Sequence, residues 1–97
     1  MFMKPIDPNI LKDALKKHDG WQLIDDAIEK TYVFKDFRTA MANMQRIAFE
    51  AEDMNHHPEW FNVYNKLQIR LRTHDADGIT EKDLELAGRI ENILNKN

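Results

Sequence analysis

From Phe37 to Met54, apolar side chains return every third or fourth residue. Phe37, Ala40, Met41, Met44, Ile47, Ala48, Ala51 and Met54 keep the i, i+3, i+4, i+7 spacing of an amphipathic helix. Asp36 is a fitting N-cap. Pro58 limits the other end, because the residue before a proline avoids helix. The spacing therefore predicts one long helix from about Asp36 to about Asn55, with its methionines filling a core or an interface.

The segments on either side carry the other period. Leu67, Ile69 and Leu71 alternate with Gln68, Arg70 and Arg72, which is the pattern of a half-buried strand. Residues 60–64 read as its partner, with a turn near Asn65-Lys66. Upstream, Trp21 and Leu23 alternate with polar residues. Beyond Asp25-Asp26, Ile28, Tyr32 and Phe34 fall on even positions, with Lys30 the exception. This is a second hairpin, whose turn lacks glycine. A helix is expected at each end. Asp7 caps the first, Pro8 opens it, Ile10, Leu11, Ala14 and Leu15 form its stripe, and Gly20 stops it. Thr80 caps the last, with Leu84, Ala87, Ile90, Ile93 and Leu94 as its stripe. Gly88 inside it marks close packing or a tolerated cost of ~1 kcal/mol. The order α-β-β-α-β-β-α predicts a single α+β domain over residues 1–97, a four-stranded antiparallel sheet with three helices on one face.

A chain of 97 residues has a modest core, and oligomerisation would be a natural supplement. With no cysteine, disulfides, thiolate ligands and a cysteine nucleophile are excluded. A net charge of -3 without a basic stripe argues against direct nucleic-acid binding through phosphates. Lys16-Lys17-His18 reads as a solvated helix end. No run approaches the ~20 apolar residues of a membrane span. The N-terminal MFMKPIDPN resembles no signal peptide. No membrane association is expected, and a cytoplasmic protein is the default.

Three of the four histidines carry the chemical interest. His56 and His57 stand where the long helix must end, and His74 where the fourth strand ends. Glu52, Asn55, Asn62, Asn65, Thr73, Asp75 and Asp83 are the polar residues nearby. Imidazoles exchange protons near neutral pH. Adjacent histidines before a proline also serve simply to complement a helix dipole. Asp83, three residues after Thr80, fits the N3 position of a capped helix equally well. Trp60 and Tyr64 suit core or hairpin packing. Zinc is the other sharp reading. Neighbouring histidines on an extended backbone point apart, however, and no HxH or HxxxH spacing occurs, so no metal site is expected.

The run from about Trp21 to Ile93 resembles the pterin-4a-carbinolamine dehydratases. The resemblance rests on Glu52 before HHPEW, then NVYN, LRTHDADGIT and D-L-x-L-A, in that order and spacing. It implies the α+β fold above and a homotetramer built as a dimer of dimers. It implies dehydration of 4a-hydroxytetrahydrobiopterin to quinonoid dihydropterin in tetrahydrobiopterin recycling, with no metal or separate cofactor. The family histidines match His56, His57 and His74. His57 is expected to be the main general acid/base at the 4a-hydroxyl, with His56 and His74 completing proton transfer and holding the pterin. Asp83 and Glu52 would orient imidazoles or bind substrate. Trp60 would pack against the pterin edge, and Thr73, with Asp75 and the THDADG backbone, would bind the pyrimidinone. Both proton transfers suit imidazoles, and such catalysis contributes ~10² to 10⁴-fold. Animal members of the family also act as dimerisation cofactors of a homeodomain transcription factor, so a helical protein partner is the alternative role.

Overall fold

The computed structural model describes residues 4–94. Along the chain run α1 (Pro8–Leu15), β1 (Gln22–Ile24), β2 (Ala27–Val33), α2 (Phe37–Met54), β3 (Glu59–Val63), β4 (Lys66–Leu71), a 3-10 turn (His74–Ala76) and α3 (Glu81–Leu94). The strands form one antiparallel sheet in the order β1-β2-β4-β3. The second hairpin thus docks its later strand against the first hairpin, leaving β1 and β3 at the edges.

Alternation decides which sheet face is covered. Ile28, Leu67, Ile69 and Leu71 are buried, with Ile28 opposite Leu71 and Trp60 opposite Ile69. They form one core with Leu11 of α1, Ile47 and Ala51 of α2, and Leu86, Ala87 and Ile90 of α3. Each of the leucine and isoleucine side chains, removed from water, stabilises the fold by about 1.5–3 kcal/mol. The opposite sheet face is open. Val33, Phe61 and Val63 lie exposed on it. Arg70 spans it, reaching Glu29 and Asp26 at 2.8 Å each and Glu59 at 3.4 Å.

Local chemistry sets the boundaries of α2. The Asp36 carboxylate accepts the backbone N–H of Thr39 at 2.8 Å, satisfying a donor that the helix cannot. At the other end Asn55 takes a left-handed conformation, φ +52°. Its N–H donates to the Glu52 carbonyl, and that of His56 to the Ala51 carbonyl, each at 3.0 Å. This pair of bonds is a Schellman closure. It turns the chain sharply and brings His56 back under the helix end.

Several details differ from the sequence reading. Ile10 is exposed; only Leu11 of α1 is buried, with Ala14 and Leu15 half-buried. Successive helix residues are about 100° apart, so a helix this short, touching the core along one narrow line, leaves Ile10 outside it. Gly20 does not cap α1, which ends five residues earlier. With φ +84° it turns the chain towards β1 instead. The second hairpin turns at Tyr64-Asn65 rather than Asn65-Lys66, with Tyr64 at φ +51°. Asn62 and Asn65 build this corner: the Asn62 amide donates to the carbonyls of Tyr64 and Lys66, that of Asn65 to Phe34. Leu86, outside the expected stripe of α3, is fully buried.

Candidate active site

Three separate segments meet at a cleft of about 430 Å³. The α2–β3 connection supplies Asn55, His56, His57, Pro58 and Glu59. The end of β4 and its loop supply Arg72, Thr73, His74 and Asp75, and α3 adds Lys82. All three expected imidazoles therefore border one cavity, although His74 is far from the other two in sequence.

Each imidazole has its own partner. The Schellman turn directs His56 inward, where its Nε2 lies 2.6 Å from Asp83 Oδ1. His56 is 8% exposed and Asp83 is fully buried. The other Asp83 oxygen accepts the Thr73 hydroxyl at 2.8 Å and the Thr80 backbone N–H at 2.9 Å. Thr73 has only one proton and gives it to Asp83. The 2.7 Å contact between the two threonine hydroxyls must then run from Thr80 to Thr73. Thr80 Oγ1 in turn accepts the N–H of Lys82 at 3.3 Å. Asp83 thus fills both roles considered for it. It closes a reciprocal cap on α3, and it anchors a site histidine.

His57 points the other way, as neighbours on extended backbone do. Its Nε2 is 2.8 Å from Glu52 Oε1, in an exposed pair at the rim. His74, at the start of the 3-10 turn, is also exposed. Its Nδ1 lies 2.9 Å from Arg72 Nη1 and its Nε2 is 3.4 Å from Glu59 Oε2. All three imidazoles thus face carboxylates through Nε2, His74 at the longest distance, and His74 alone also meets a guanidinium through Nδ1. The arrangement combines ring nitrogens that can donate protons with others that can accept them, around one polar cavity.

Of the other expected site residues, Thr73 is buried beside the cleft wall and Asp75 stands exposed at its edge. Trp60 stands apart from the others. It is not among the residues lining this cleft, and it packs against the core on the helix-covered side of the sheet. It pairs with buried Ile69, and alternation sends both to that face. Arg72, Lys82 and Glu59 line the cleft without having been singled out from sequence. Arg72 and Lys82 looked like ordinary solvated positions of a strand and a helix start. Only the proximity of Arg72 to His74, two residues on, offered a hint. Among the described residues no three His, Cys, Asp or Glu side chains converge as a metal site would require. Among the same residues no helix is long and apolar enough to cross a membrane.

Comparison with known proteins matches residues 4–93 to the family model described as pterin 4 alpha carbinolamine dehydratase. A relative from Christiangramia forsetii, which carries the family's name, is 49% identical over 93 residues, covering 96% of each chain. One from Opitutus terrae, named likewise, is 55% identical over 84 residues, 86% of this chain and 87% of its own. A crystal structure from Brucella melitensis, named transcriptional coactivator/pterin dehydratase, superposes with a TM-score of 0.90 at 40% identity, over 93% of this chain and 98% of that one. With the fold, the cleft and these relatives in agreement, the chain belongs to the pterin-4-alpha-carbinolamine dehydratase family.

Proposed function

We propose that this protein dehydrates 4a-hydroxytetrahydropterin by imidazole acid/base catalysis, in recycling of the tetrahydropterin cofactor. The observation that supports this most is the convergence of His56, His57 and His74 on one cleft, each ring held by a different partner. In the reaction the C4a–O bond breaks and the oxygen leaves as water after accepting a proton. N5 gives up its proton as the C4a–N5 double bond forms. Atoms balance without a redox partner or a covalent intermediate.

His57, exposed at the rim, is the proton carrier for the 4a-hydroxyl. Its Nε2–H is engaged by Glu52, which orients the ring and leaves Nδ1 available. His56 is fixed by the buried Asp83 and holds the pterin with Thr73, while His74 and Asp75 close the facing wall. Lys82, at the mouth, supplies a cation for an electron-rich edge of the heterocycle. The protein is placed in the cytoplasm and assembles as a homotetramer.

The test is the rate of carbinolamine dehydration, followed by absorbance. Wild-type protein should accelerate it, and the double variant His56→Ala/His57→Ala should lose about 10² to 10⁴-fold. Equal rates for the two proteins would refute the reading.

A second role is favoured by one observation. The outer side of α2 exposes Phe37, Met41 and Phe49, and the Brucella relative's name includes a coactivator function. A helical protein partner would dock there. Its capture in co-sedimentation would be unaffected by the histidine substitutions.

A further inference from the structure

We propose that Arg72 is a positioning residue that fixes the tautomer of His74, so that His74 serves as a neutral Nε2–H donor and never as the proton acceptor. This deepens the dehydratase reading and rests on it for its catalytic consequence alone.

A guanidinium carries only donors and keeps its charge at all ordinary pH. Arg72 Nη1 stands 2.9 Å from His74 Nδ1. That ring nitrogen must therefore present its lone pair, and the ring proton must sit on Nε2. The second contact of the ring selects the same form, since Nε2 faces the acceptor Glu59 Oε2 at 3.4 Å. A doubly protonated ring would aim an N–H at a cation.

Arg72 is not free to turn away. Its Nη2 is 2.7 Å from Asp77 Oδ1 and 3.0 Å from Asp26 Oδ2, and its side chain is only 13% exposed. Asp26 belongs to the β1–β2 turn. Asp77 ends the 3-10 turn that carries His74, at φ +52°. The guanidinium thus ties the strand end, the neighbouring hairpin and the His74 loop into one clamp.

The three imidazoles are consequently unequal. Nε2 of His56 and Nε2 of His57 each donate to a carboxylate, so their lone pairs are on Nδ1. His74 carries its proton on Nε2 as well, facing Glu59 at the longer distance of 3.4 Å, but its Nδ1 lone pair is occupied by Arg72. Proton acceptance falls to the His56–His57 pair, and His74 contributes a hydrogen bond to the substrate.

The experiment is long-range ¹H–¹⁵N correlation NMR of the histidine rings near neutral pH, with His74 assigned from the spectrum of His74→Gln. Wild-type protein should show a single tautomer at His74, protonated on Nε2. Arg72→Ala should mix the tautomers. Its kcat should fall about tenfold, as expected for one charge-assisted hydrogen bond, with KM little changed. Arg72→Lys, still a donor-only cation, should retain the wild-type ring pattern. A wild-type His74 protonated on Nδ1, or on both nitrogens, overturns the proposal without recourse to any variant. An unchanged ring pattern in Arg72→Ala overturns it too. A protein with the expected ring pattern but no dehydratase activity would instead refute only the functional reading.

Discussion

Asp83 joins structure and chemistry in one side chain. Its two oxygens satisfy the His56 ring, the Thr73 hydroxyl and the first N–H of the α3 cap, all out of water. Truncation leaves buried donors without acceptors, which costs far more than the bonds contribute net. Asp83→Ala should lower the unfolding free energy by about 1–3 kcal/mol for each donor left buried and unpaired, read from urea midpoints. It should also slow dehydration, because His56 loses its anchor. A variant as stable as wild type would show that the carboxylate network carries no weight. Glu52 differs: both it and His57 are exposed, so Glu52→Gln should leave the urea midpoint nearly unmoved.

Among the elements, α2 and α3 have opposite weaknesses. The start of α2 depends on an ionised cap. The backbone and side-chain hydrogen bonds from Thr39 hold the Asp36 carboxyl below its ordinary value of 3.8. A group depressed in the folded state contributes stability above its unfolded value and loses it as pH falls through the folded one. Below pH 3.8 the wild type should therefore lose stability faster than Asp36→Asn, which caps without titrating. Parallel acid curves for the two proteins would remove Asp36 from the account. In α3 the weakness is Gly88. A methyl group there would meet the His18 ring at 3.7 Å, an ordinary contact, so close packing does not demand glycine. Gly88→Ala should raise stability by about 1 kcal/mol, and a loss would reveal crowding. These element-scale features were legible in sequence, because caps and periodicity depend on neighbours a few residues away. The Ile10 and Gly20 expectations failed where a short helix met a core it could only graze.

At the scale of the whole molecule, the helices cover one sheet face and leave the other bare. Val33, Phe61 and Val63 on that face, and Phe37, Met41 and Phe49 on α2, are apolar and exposed, and β1 and β3 are open edges. Such surfaces call for a second chain. Light scattering at tens of micromolar should therefore give a mass well above the 11.5 kDa of one chain. A monomer at that concentration would contradict the proposed assembly.

The sequence by itself determined the element order, the caps at Asp7, Asp36 and Thr80, and the candidacy of three histidines. Each of these is written in spacing, in short-range hydrogen bonding or in a resemblance carried by contiguous motifs. Tertiary structure alone decided which imidazole meets which partner. His56 finds Asp83 across 27 residues, and Trp60 turns to the core because its strand alternates in register with Ile69. Arg72, an ordinary strand residue in sequence, reaches His74 only once the β4 loop folds back and Asp26 and Asp77 hold the guanidinium. Proton chemistry depends on ångström-scale contacts between distant segments, and these exist only after the sheet order and loop closures are set.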